Sequence, residues 1–136
     1  MVSKYFKIHE LVDRETYEER GELGWELIDP RLIVVIDRLK EKFNRGSISI
    51  NTYHWGGNRN WSGLRTLESP YYNKYSQHSF GRAIDCVFSE YSTEEVREYL
   101  IENQDNFPDI RGIEIAEWLH LDLRNTTDDK LKVFKP

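Results

Sequence analysis

Gly112-Ile113-Glu114-Ile115-Ala116-Glu117-Trp118-Leu119-His120-Leu121-Asp122-Leu123-Arg124 alternates apolar and polar side chains on both sides of Glu117. Successive side chains of a strand point to opposite faces, so the pattern predicts two strands joined at or near Glu117. In the second strand Leu119, Leu121 and Leu123 face one way, and Trp118, His120, Asp122 and Arg124 the other. An aspartate set between leucines costs several kcal/mol unless it is paired or bound to a cation. Asp122 therefore marks the polar face as one with a purpose.

Working outward, Arg82 to Phe88 alternates too, with Ala83, Asp85 and Val87 on one face and Ile84, Cys86 and Phe88 on the other. Asp85 repeats the problem of Asp122. Ser92 with Glu95 forms a capping box and Tyr91 with Val96 a hydrophobic staple, predicting a helix over about 93–104. A second helix, over about 30–44, is signalled by Asp29 as N-cap, Pro30 at the first turn, an Ile28–Ile33 staple and the recurrence of Leu32, Ile36, Leu39 and Phe43. Ser47 to Asn51 alternates as a strand. The first 27 residues give weak signals: His9 to Val12 suggests a short helix, Gly21 and Gly24 a loop, with His9 on the surface and Trp25 at the core edge. Residues 125–136 read as a polar tail. The expectation is one α+β domain over 1–136, a small antiparallel sheet packed on helices, with a site on the polar face of the sheet.

His54 to Tyr75 has no period and is rich in Gly, Asn, Ser and aromatic residues, including Trp55, Trp61, Tyr71 and Tyr72 with Arg59 and Arg65. A structureless stretch of that length in a compact domain either serves function or is a surface loop pinned by aromatic anchors. Both readings stay open from sequence.

Composition narrows the function class. With a net charge of −5 and cations interspersed among anions, the chain lacks the basic footprint of a nucleic-acid binder. No window is long and apolar enough for a membrane span or a signal peptide. The one cysteine, Cys86, excludes an internal disulfide and a Cys-rich structural zinc site. Oligomeric state is left open.

His78, Asp85 and His120, with Glu117 three residues before the last, are the parts of a mononuclear hydrolytic zinc site: three protein donors and an open fourth position for water. Gly81 between His78 and Asp85 allows the backbone to bend and return the imidazole toward the Asp85 face. Singly, each residue has an ordinary role as a hydrogen-bonded histidine or a capping aspartate. Together they point to metal.

Ser76-x-His78-x-x-Gly81-x-Ala83-x-Asp85 followed by Glu117-x-x-His120-x-Asp122 resembles the zinc D-alanyl-D-alanine carboxypeptidases, the vancomycin-resistance D-Ala-D-Ala dipeptidases and the phage L-alanyl-D-glutamate endopeptidases. Gly63-Leu64-Arg65-Thr66 is similar to that family's Gly-Tyr-Arg-Ser element, with Leu64 in place of Tyr. The resemblance implies that His78, Asp85 and His120 bind one Zn2+, that Glu117 is the general base, and that Arg65 contacts the substrate near the scissile bond. It leaves Asp122 to orient an imidazole or hold Arg124, and Ser76 to bind ligand or cap its turn. The implied substrate is the peptidoglycan stem peptide. The stretch from Asn51 to Arg65 is longer than in the family, so substrate shape does not transfer. Without a signal peptide, the expectation is a protein made in the cytoplasm that acts on the cell wall after release, as a phage lysin or from a phage particle. The alternative is a zinc-containing binding or structural module without turnover.

Overall fold

The computed structural model describes residues 1–136. Three α-helices, α1 (Arg14–Arg20), α2 (Pro30–Lys42) and α3 (Thr93–Glu102), accompany five strands, β1 (Ile48–Ser49), β2 (Ala83–Phe88), β3 (Gly112–Ile115), β4 (Leu119–Asp122) and β5 (Lys132–Phe134). The helices begin where the sequence caps them. Asp29 accepts the Arg31 amide at 2.9 Å. At α3, Ser92 Oγ accepts the Glu95 amide at 3.0 Å while Glu95 accepts that of Ser92 at 2.7 Å, satisfying two amides the helix leaves free.

The sheet runs β1-β2-β4-β3-β5. β1, β2, β4 and β3 pair antiparallel in succession, and β5 joins β3 in parallel, Gly112 opposite Lys132 and Glu114 opposite Phe134. The expected purely antiparallel sheet is thus corrected to a mixed one, and the class stays α+β. The correction comes from the supposed tail. β3 would otherwise expose a row of unpaired amides and carbonyls, and the returning chain covers that edge, with the Lys132 amide on the Arg111 carbonyl at 2.8 Å.

One face of the sheet belongs to the core. Ile84, Cys86, Phe88, Ile113, Leu119, Leu121 and Leu123 join Leu32, Ile33, Ile36 and Leu39 of α2 and Val96 and Leu100 of α3 in one buried cluster. Each such aliphatic side chain contributes about 1.5–3 kcal/mol on burial. The opposite face carries Asp85, Glu114, His120 and Asp122.

β1 is shorter than expected because the chain leaves the sheet after Ser49 to bind the N-terminal segment. The Asn51 amide bonds the Glu10 carbonyl at 3.1 Å, and the Asn51 side chain donates to the Val12 carbonyl at 2.9 Å. This segment is no surface fringe. His9, expected outside, is buried and stacks on His54 with ring centroids 3.9 Å apart, because Tyr17 and Trp55 close around the pair.

Candidate metal centre

Register brings the donors together. Asp85 of β2 lies directly opposite His120 of β4, side chains on the non-core face. His78 arrives from a 3-10 turn, Gln77–Phe80, just before β2. That turn opens with Ser76 Oγ accepting the His78 amide at 3.3 Å and ends at Gly81, whose φ of 68° suits glycine. A Cβ at Gly81 would stand 2.1 Å from the Leu27 carbonyl oxygen, so the return path of His78 admits no side chain there.

His78 Nε2 lies 3.3 Å from Asp85 Oδ1, and His120 Nδ1 lies 2.9 Å from the same oxygen. The three donor atoms all fall within 4.8 Å of one another. Tetrahedral zinc with bonds of about 2.0–2.1 Å holds its ligand atoms about 3.3 Å apart, close to these separations. The protonation pattern suits a cation as well. His78 Nδ1 donates to the Gly63 carbonyl at 2.8 Å, which leaves the Nε2 lone pair facing the other two donors.

His120 donates Nε2–H to Asp122 Oδ2 at 2.8 Å, turning Nδ1 toward Asp85. Asp122, fully buried, is gripped by Arg124 through Nε at 2.8 Å and Nη2 at 2.7 Å. Gly112 stands opposite Asp122 in the register, and a Cβ there would meet Asp122 Oδ1 at 2.3 Å. Its bare backbone leaves room for the ion pair.

The electrostatics agree with the geometry. Burial opposes charge on His120, but the hydrogen bonds to Asp122 and Asp85 overcome it and raise the imidazole to about 9. Asp85 is held well below the usual carboxylate range: burial opposes its ionisation, and His120 and His78 more than reverse that. Asp122 falls to about 2, Arg124 and His120 outweighing burial. Arg65 and Arg124 balance the two carboxylates, so the His120 proton facing Asp85 is the charge that a bound cation would replace.

A cavity of about 790 Å³ opens above these donors. Arg65, Ser76, His78, Asp85, His120 and Asp122 all line it, beside Trp61, Tyr71, Tyr75, Trp118 and Phe134. Arg65 donates from Nη2 to Asp85 Oδ2 at 3.0 Å and from Nε to the Trp61 carbonyl at 2.8 Å, so it holds a candidate ligand as well as facing the cavity. The long loop is divided. Trp61 and Tyr71 form the rim, while Trp55, 63% exposed, belongs to the His9–His54 cluster outside it.

Glu117 stands apart. It lies exposed on the bend between β3 and β4 and is not among the cavity-lining residues. Glu114 is among them, opposite His120 in the register with Oε2 4.0 Å from His120 Nδ1. The sequence held the signal for it, since a hairpin centred on Glu117 puts residue 114 across from residue 120. Phe134, 6.0 Å from the His120 ring and stacked under Arg124 at 4.5 Å, gave no such sign, because its place depends on a parallel strand.

No protein family, curated protein or solved structure matches the chain in comparisons with each.

Proposed function

We propose that the chain is a zinc-dependent peptidase of peptidoglycan stem peptides, cutting the L-Ala–D-Glu or the D-Ala–D-Ala bond. The observation that carries this reading is the convergence of His78, Asp85 and His120 at the floor of an open cavity, each donor oriented by a further residue. The motif resemblance supplies the substrate class.

Zinc, when bound, provides an ionised water near neutral pH and a positive charge at the scissile carbonyl. The remaining tasks fall to the chain. Asp122 fixes the ring of His120, and the Gly63 carbonyl fixes that of His78. Arg65, anchored on Asp85 and the Trp61 carbonyl, adds positive charge where the oxyanion develops. A glutamate of the β3–β4 hairpin takes the proton of the attacking water and returns it to the leaving amine. The resemblance gives that role to Glu117; position in the cavity favours Glu114. Replacing each by Gln separates them, because loss of the base lowers turnover by about 10²–10⁴ with zinc retained. Loss in neither variant would sink the mechanism.

No helix is long and apolar enough to cross a membrane. The proposed place of action is the cell wall, reached after release from the cytoplasm or from a phage particle. The exposed Glu117 favours one other reading, a zinc-containing module without turnover. Metal analysis beside digestion of purified peptidoglycan, with and without chelator and with fragments identified by mass, decides between them. One zinc per chain with chelator-sensitive fragments is the expected result; zinc without fragments on several wall types gives the module, and no zinc overturns both.

A further inference from the structure

Three guanidinium groups line the cavity, and two are already engaged. Arg65 is paired with Asp85 at 3.0 Å and Arg124 with Asp122 at 2.7 Å. Arg59 has no such partner. No carboxylate comes within 4.0 Å of it, its side chain makes no hydrogen bond to the protein, and its Nη1 is buried without a partner. A second orphan shares the wall: Gln77 Oε1 is likewise buried and unpartnered. A guanidinium that lines a cavity without an internal partner is left to water, and a ligand of opposite charge can take that place.

The backbone beneath Arg59 is firmly placed. Its amide donates to Thr52 Oγ1 at 3.1 Å, and its carbonyl accepts the amides of Thr52 and Tyr53 at 2.9 and 3.2 Å. Three residues on, the Ser62 carbonyl accepts the amide of Asp85 at 2.8 Å, so this loop is registered against the strand that carries a candidate metal ligand. The unpaired cation thus belongs to the same rigid wall as the donors, within the stretch that the motif resemblance leaves unexplained.

We propose that Arg59 is a specificity residue that anchors a free carboxylate of the substrate. The inference rests on the peptidase reading and narrows it to peptides that carry such a group, as both candidate bonds allow: the terminal D-Ala carboxylate in one, the free carboxylate of the isoglutamyl residue in the other. A planar guanidinium with no internal partner meets a carboxylate through two parallel hydrogen bonds. A neutral peptide would cover the half-buried Arg59 without pairing its charge, and is disfavoured for that reason.

Titration calorimetry of the full chain, metal-free and zinc-loaded, with N-acetyl-D-alanyl-D-alanine and its C-terminal amide tests this. The metal-free arm admits neither turnover nor competition by zinc for the carboxylate. The expected result is a preference of about tenfold or more for the acid over the amide, shrinking with added salt. Arg59→Gln is expected to abolish the preference and Arg59→Lys to keep part of it, with circular dichroism confirming the fold of both and zinc uptake unchanged. Equal binding of acid and amide, no binding of the acid at millimolar concentration, or a preference that survives Arg59→Gln overturns the proposal. An Arg59-dependent preference in a chain that takes up no zinc keeps the anion subsite and removes the peptidase. Zinc uptake with cleavage but no preference does the reverse.

Discussion

Asp122→Asn probes the charge arrangement beneath the metal centre while changing the side chain's size hardly at all. The carboxylate accepts four hydrogen bonds: from His120 Nε2 at 2.8 Å, from Arg124 Nη2 at 2.7 Å and Nε at 2.8 Å, and from the Arg124 amide at 3.2 Å. An amide keeps one acceptor oxygen and turns an NH2 group on the donors of the other, so either His120 or Arg124 loses its partner. Removing one member of a buried ion pair costs about 3–5 kcal/mol. The Arg124 side chain is 33% exposed and can turn toward water, which places the expected loss at the lower end, about 3 kcal/mol. Urea unfolding of the metal-free protein measures it. Competition with a chelator should show zinc affinity reduced about 10–100-fold, since an imidazole without its orienting acceptor is a poorer ligand. Asp128→Asn serves as control, because the Lys132–Asp128 pair is exposed and is worth less than about 1 kcal/mol. A loss below about 0.5 kcal/mol in Asp122→Asn with unchanged zinc affinity would refute the assignment.

Three other perturbations read neighbouring parts of the same arrangement. His120→Ala is expected to lose zinc and cleavage together, by metal analysis and wall digestion, whereas substitution of the hairpin base loses cleavage alone. His120 is raised from 6.5 to about 9, so in the metal-free protein its contribution to stability is complete below 6.5 and is lost as pH rises through 9. The urea midpoint of the metal-free chain should fall across that window and that of the zinc form much less; a flat metal-free profile contradicts the two-carboxylate environment of His120. Gly112→Ala puts a methyl group 2.3 Å from Asp122 Oδ1 and is expected to cost about 1–3 kcal/mol and to weaken zinc binding, read by the same two assays.

The elements that declared themselves in the sequence are those whose cause is local. α2 and α3 carry their own caps and staples, and β2 and β4 alternate around a buried aspartate each. α1 was hidden although Asp13 caps it, accepting the Thr16 amide at 3.1 Å, because only Thr16 of its residues is buried and no apolar stripe results. β5 was hidden because three residues hold no period, and a parallel pairing has no tight turn to announce it. The burial of His9 depends on a stack with His54, 45 positions later, which no local pattern announces. The same division runs through the site. Asp85, His120 and Asp122 could be read because charge or imidazole in apolar strands demands a partner, and His78, in a turn, through its spacing from Asp85 across Gly81. Glu114 needed the hairpin register, and the isolation of Arg59 needed the side chains around it.

The strand β5 bears on how the cavity is kept closed. β2 and β4 unite Asp85 with His120 across 35 positions of chain, and β3 joins β4 through a short bend. β5 cannot zip from a turn in that way, since a parallel neighbour needs a connection that carries the chain back across, here from Gly112 to its partner Lys132. A molecule in which β5 has come away is therefore expected to keep Asp85 opposite His120 while the β3 edge is bare and the wall that Phe134 supplies is missing. Detachment of those three residues would open one side of the cavity and uncover an aggregation-prone edge at the same time, so access to the donors and exposure of the edge are tied to one short strand.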